Sequence, residues 1–166
     1  MRKPVLLIGM MGCGKSTVGR LLAERMRLPL IDLDEEIARA AGKTIPEIFA
    51  QEGEAGFRAR ETAALERALA REDGVIATGG GIVTRAENIR MMREKGVVVW
   101  LCRPLEDMIA DVRQDTRPNL AGDKEERMRT LYERRERLYA AAAHLSFDNR
   151  MPPEESAKAL QKLLTE

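Results

Sequence analysis

The sequence predicts an α/β fold: a five-stranded parallel sheet flanked by helices, three layers in all. Three observations predict it. Short apolar runs of strand length alternate with stretches of helical periodicity from end to end. The first run, Val5-Leu6-Leu7-Ile8, passes directly into Gly9-Met10-Met11-Gly12-Cys13-Gly14-Lys15-Ser16-Thr17, which fits the phosphate-loop pattern G-x-x-x-x-G-K-[ST]. The second run ends in Asp32 and Asp34 and the third in three glycines. Strand ends of this kind are where an open parallel sheet binds ligands.

Val5 to Ile8 is the first strand, and Val18 to Arg25 carries apolar residues at helical spacing. Leu28 to Asp32 follows as a strand, then a helix from about Glu35 to Ala41 that Gly42 closes. Ile45 to Gln51 reads as a short helix and Phe57 to Ala70 as a longer one. Val75 to Thr78 is the third strand, running into Gly79-Gly80-Gly81, and Arg85 to Glu94 is helical. Val97 to Leu101 is the most β-rich run, and Leu105 to Val112 is helical. Gln114 to Lys124 contains Pro118 and Gly122, has no apolar period, and reads as a loop. Glu125 to Ala143 is a long charged helix, His144 to Asp148 the fifth strand, and Pro153 to Leu164 the last helix.

Length and composition narrow the function. A chain of 166 residues suits one domain with a sizeable core. A net charge of +1 and 4% aromatic residues argue against nucleic-acid partners, which need basic excess or stacking platforms. No apolar stretch approaches the ~20 residues of a membrane span. Met1-Arg2-Lys3 is basic, but the apolar run behind it becomes the phosphate loop, so it does not read as a signal peptide. Cys13 and Cys102 lack metal-ligand spacing, and a disulfide at Cys13 would obstruct the loop. Reduced thiols and a cytoplasmic location are therefore expected.

The chemistry sits at the strand ends. In the loop, Gly9, Gly12 and Gly14 allow backbone amides to converge on an anion at a helix N-terminus. Lys15 would reach the β- and γ-phosphates, and Ser16 would ligate Mg²⁺. If the second strand stays extended, Asp32 and Asp34 lie on one face, about 6.5–7 Å apart. One could then hold a Mg²⁺-bound water and the other meet an acceptor hydroxyl. The same residues also read as a helix N-cap with a first-turn acid, since Glu35 and Glu36 follow. The triple glycine implies that a ligand or a helix approaches the backbone closely, or a tight turn. Arg58 and Glu61 share a helix face and by themselves read as a surface ion pair. Arg117, in the long loop, is either a lid cation that closes on a transferring phosphate or a solvated residue. Among Arg127, Arg129, Arg134, Arg135 and Arg137, spacing does not choose which points inward. His144, ahead of a strand, reads as structural.

As a set these motifs resemble the shikimate kinase family, small-molecule kinases related to the nucleoside monophosphate kinases. The resemblance rests on the phosphate loop through Val18-Gly19 with Leu22-Ala23, on Asp32-Leu33-Asp34, and on Phe57-Arg58 with Glu61. Ala77-Thr78-Gly79-Gly80-Gly81, Arg117-Pro118 and Arg135 with Leu138-Tyr139 complete it. It implies a P-loop NTPase fold of the nucleoside monophosphate kinase type, as a single domain over 1–166. The substrate-binding segment would span about 34–62 and a mobile lid about 112–124. Gln114-Asp115-Thr116 is a shorter lid segment than the family often has. The implied reaction is ATP-dependent phosphorylation of the shikimate 3-hydroxyl, toward aromatic amino acids, with ATP and Mg²⁺ as cofactors.

The implied roles follow residue by residue. Gly12, Cys13, Gly14, Lys15, Ser16 and Thr17 bind the ATP phosphates, and Ser16 and Asp32 serve the metal. Asp34 takes substrate hydroxyls. Arg58 and Arg135 hold the substrate carboxylate beside Gly79, Gly80 and Gly81, and Glu61 orients Arg58. Arg117 contacts phosphate and substrate. Arg113, Arg150 and Pro152 are the candidates for the adenine. Lys15, Asp34 and Arg117 form the implied catalytic set. A monomer with no nucleic-acid or membrane partner is expected. A gluconate or nucleoside monophosphate kinase, or a nucleotide-binding regulator without turnover, is the alternative.

Overall fold

Val5, Leu6, Leu7 and Ile8 form β1 (Val5–Ile8), buried at all four positions. A strand in the middle of a parallel sheet, covered on both faces, has that signature. The computed structural model describes residues 2–113 and 123–166, the side chains of Arg113 and Asp123 excepted. Its other strands are β2 (Leu30–Asp32), β3 (Val75–Ala77), β4 (Val97–Cys102) and β5 (Leu145–Asp148). They form one sheet in the order β2-β3-β1-β4-β5, with every pairing parallel. Between them run α1 (Lys15–Met26), α2 (Leu33–Ala41), α3 (Ile45–Leu69), a 3₁₀ turn (Ile82–Thr84), α4 (Ala86–Lys95), α5 (Leu105–Arg113), α6 (Asp123–Ala142) and α7 (Pro153–Thr165). α1 packs with α7, while α3, α4 and α6 group around the 3₁₀ turn. The sheet is thus flanked by helices, as the alternation predicts.

The strand order places the chemistry. Two chain directions diverge at β1, which pairs with β3 on one side and β4 on the other. The carboxyl end of β1 is therefore the switch point of the sheet, and the phosphate loop leaves the sheet there.

Three expectations meet the structure here. First, the separate helices read at Ile45–Gln51 and Phe57–Ala70 are borne out: α3 is two helices joined across a kink at Gly53, whose φ 72° and ψ −178° are not helical. Glu52 restrains the kink, accepting from Arg60 Nε at 2.9 Å and Lys43 Nζ at 3.2 Å. A Cβ on Gly53 would meet nothing within 4 Å, so the backbone angles alone demand glycine. Gly53→Ala is expected to cost about 1–3 kcal/mol, read as a lower denaturation midpoint at unchanged m. Second, α6 begins at Asp123, so Asp123 and Lys124 belong to the helix rather than to the preceding loop. Positions 114–122, which carry Arg117 and most of the expected lid, lie outside the described residues. Third, β2 does not continue extended past Asp32: α2 starts at Leu33, and Asp32 is its N-cap, accepting from Glu35 N at 3.2 Å. Asp34 is then a first-turn acid, favoured there by the helix dipole. The alternating-strand reading of the two aspartates fails because the cap bends the chain before the alternation is complete.

Candidate active site

The phosphate loop is built by positive φ at Gly9 (146°), Gly12 (81°) and Gly14 (101°), followed at once by α1. Its amides therefore open at a helix N-terminus, a site for anions. The carbonyls are held by side chains. Lys15 Nζ donates to Gly9 O, and to Met10 O at 3.1 Å. Arg103 Nη1 donates to Gly12 O at 2.8 Å, and Arg103 is also paired with Asp111. Asn149 Nδ2 donates to Cys13 O at 2.7 Å. Burial pulls the Lys15 ammonium below its ordinary range, with Arg135 adding to the effect, while Asp34 and Asp32 oppose it.

A cavity of about 330 Å³ lies over the loop. Met11, Lys15, Ser16, Asp32, Asp34 and Gly80 are among the residues that line it. The cap geometry thus brings both aspartates to the loop by a different route from the expected one. Asp34 opens onto this cleft, yet its walls crowd the carboxyl and raise its pKa. Asp32 raises it further, while Lys15 and Arg58 lower it.

The triple glycine gathers the remaining groups. A Cβ at Gly79 would come within 3.2 Å of both Asp34 Oδ1 and Glu61 Oε2. At Gly80 it would lie 3.5 Å from Arg135 Nη1. At Gly81 it would overlap the Arg58 guanidinium, at 2.3 Å from Nη2. The tight turn is present, with Ile82 N donating to Gly79 O at 3.2 Å, and side chains borne by helices also approach the backbone closely. Thr78 Oγ1 anchors it to Leu7 O at 2.8 Å, and Tyr139 OH donates to Gly80 O at 2.5 Å. Tyr139 is fully buried, stacked on Trp100 at 5.8 Å between centroids, and burial pushes its hydroxyl up to about 12. α6 therefore turns Arg135 toward the glycines, whereas Arg134 lines a separate groove with Glu126 and Arg127.

Arg58 and Glu61 are not a surface pair. Glu61 is 1% exposed and accepts from Arg58 Nη1 at 2.9 Å. Glu61 Oε2 and Arg58 Nε are buried without a hydrogen-bond partner among the described residues. Burial raises the Glu61 carboxyl, opposed by Arg58. The Arg58 guanidinium lies 5.3 Å from the Phe57 ring centre, which limits its orientations.

A second cavity, about 370 Å³, continues on the far side of the loop, lined by Gly14, Thr17, Arg103, Asn149, Arg150 and Met151 among others. Arg150 is exposed there and tied to Asp148 at 2.6 Å. Pro152 is the N-cap of α7, beside this lining. Arg113 ends α5. His144 is structural, its Nδ1 accepting from Val98 N at 3.0 Å.

Sequence reasoning missed Asn149 and Arg103. Asn149 reads as a turn residue before a Pro-initiated helix, and Arg103 as a residue between strand and helix. Neither carries a local signal for a partner 136 or 91 positions away.

Comparison with known proteins agrees with this geometry. The family model described as shikimate kinase matches residues 11–165. A shikimate kinase of Symbiobacterium thermophilum is 43% identical over 165 residues, covering 96% of this chain and 95% of that protein. The structure of a shikimate kinase from Acinetobacter baumannii in complex with shikimate superposes with a TM-score of 0.93 at 38% identity, covering 99% of this chain and 94% of that one. A shikimate kinase structure from Bacteroides thetaiotaomicron gives 0.90 at 31% identity, with 99% of both chains covered.

Proposed function

The chain belongs to the shikimate kinase family, and from that premise we propose how its residues carry the reaction. The protein is a transferase that phosphorylates shikimate with ATP, in aromatic biosynthesis. One observation carries the assignment of residues: Asp34, Arg58, Glu61 and Arg135 converge on three successive glycines facing the phosphate loop.

The acceptor is a small carboxylate bearing three hydroxyls. Arg58 and Arg135 bind its carboxylate, since planar guanidinium groups match carboxylate geometry. Glu61 fixes the Arg58 fork. Asp34 meets the 3-hydroxyl and receives its proton as the oxygen attacks the γ-phosphorus. The bond from that phosphorus to the β,γ-bridging oxygen breaks, and ADP leaves. A carboxyl raised by burial holds a proton better than a free aspartate and so suits this task. The loop amides of Gly12 to Thr17, with Lys15, neutralise charge on the phosphates, the main requirement of phosphoryl transfer.

Ser16 and Asp32 supply hard oxygen donors on the same cavity, a set that fits Mg²⁺, which prefers oxygen and keeps several waters. Mg²⁺ would supply neutralisation of the phosphate oxygens. Arg113, Arg150 and Pro152 take the adenine side, and Arg117 acts with the segment 112–124 as the closing lid. The segment 34–62 binds the acceptor within a single domain. We place the enzyme in the cytoplasm as a monomer without nucleic-acid or membrane partners. No described helix is long and apolar enough to cross a membrane.

The test is coupled ADP release with shikimate, gluconate, AMP and no acceptor. ADP is expected with shikimate alone. Equal ADP without an acceptor would overturn the kinase reading, and a preference for gluconate or AMP would overturn the assignment of the acceptor.

A further inference from the structure

We propose that Asn149 is a positioning residue for ATP: it sets the direction of the Gly14 amide in the phosphate loop without touching the acceptor. The inference rests on the loop being the ATP site.

Asn149 is 8% exposed, and both ends of its side-chain amide are hydrogen-bonded. Its Nδ2 donates to Cys13 O at 2.7 Å, and its Oδ1 accepts from Ser156 Oγ at 2.6 Å. Its backbone N donates to Cys102 O at 2.7 Å. A carbonyl can only accept, so the amide nitrogen must face Cys13. The Ser156 hydroxyl, fully buried in the first turn of α7, then donates to the oxygen side in that orientation.

The consequence lies in the peptide plane. Cys13 C=O and Gly14 N–H belong to one planar trans peptide and point in opposite directions. Pinning the carbonyl outward therefore aims the Gly14 N–H inward. That N–H makes no hydrogen bond among the described residues, so it is available to an anion. The contact also explains why position 14 is glycine beyond its φ of 101°. A Cβ there would stand 2.6 Å from Asn149 Nδ2. Asn149 lies on the loop between β5 and α7, in the wall of the second cavity. It thus joins the wall of that cavity rigidly to the phosphate loop. Among the described contacts, none runs from it to Asp34, Arg58 or Arg135.

The experiment compares Asn149→Leu, Ser156→Ala and the double variant, each checked for folding by circular dichroism, with Lys15→Met as a control on the site. ATP is titrated calorimetrically, and KM is measured for both substrates. Asn149→Leu should weaken ATP binding about tenfold or more, the loss expected of a hydrogen bond that orients a donor to a charged group. Shikimate KM should stay unchanged. Ser156→Ala should shift ATP binding in the same direction by less, and add nothing in the Asn149→Leu background, because it acts through Asn149. If Asn149→Leu fails to fold, Ser156→Ala alone decides: a selective ATP defect supports the proposal, and none overturns it. Unchanged ATP affinity in folded Asn149→Leu, or equal loss for both substrates, overturns it. If Lys15→Met also leaves ATP binding intact, the reading of the loop itself has failed, which is a different result.

Discussion

Asp34→Asn should lower kcat by about 10²–10⁴-fold, the range for loss of a positioned general base. ATP affinity should remain, because the partner proposed for Asp34 is the acceptor hydroxyl and not the nucleotide. The same substitution should make the protein more stable at neutral pH. Burial and Asp32 raise the Asp34 carboxyl in the folded state. The native protein therefore holds that proton more tightly than the unfolded chain, and the contribution to stability is greatest at low pH. It is lost as pH rises through the folded pKa. Asparagine does not titrate, so its advantage in Tm should be present at pH 7 and fade below about pH 4, where aspartate is protonated in both states. Thermal melts across this range, alongside steady-state kinetics, check both halves. A near-normal kcat would remove Asp34 from the reaction.

Arg58→Ala should raise KM for the acceptor by about 10–100-fold while leaving KM for ATP unchanged, the scale of losing charge-assisted hydrogen bonds. It should also destabilise the fold. Glu61 is 1% exposed and has one oxygen already unpaired, so removing Arg58 strands a buried carboxylate. Breaking such a pair from one side costs about 3–5 kcal/mol. Arg58→Ala combined with Glu61→Gln separates the two effects. The neutral amide should recover much of the Tm but none of the acceptor KM. If KM recovered with Tm, Arg58 would be a structural residue and not a binding one. A matching rise in the ATP KM would refute its assignment to the acceptor.

The strand ends explain how much could be read in advance. The phosphate loop is local: its glycines, Lys15 and both flanks lie within one stretch, so sequence order alone fixes the anion nest and the central strand behind it. The alternation of apolar runs and helical periods fixes five strands for the same reason. Asp32 shows where local reading divides. Alternation and capping predicted different paths for one tripeptide, and the Glu35 amide chose the cap. Arg135 was not legible from spacing because five arginines share α6, and only its packing turns one toward Gly80. Glu61 looked like a surface partner until α3 laid it under the glycines. Asn149 was least legible, since its partner on the loop is 136 positions away.

The central claim is that one pocket, facing the phosphate loop, holds the acceptor between Arg58, Arg135 and Asp34. A crystal structure of this protein with shikimate and ADP tests it most directly. The carboxylate is expected against the Arg58 and Arg135 guanidinium groups and the 3-hydroxyl against Asp34, pointing toward the loop. Shikimate bound with its carboxylate away from both arginines, or outside the glycine turn, would contradict it.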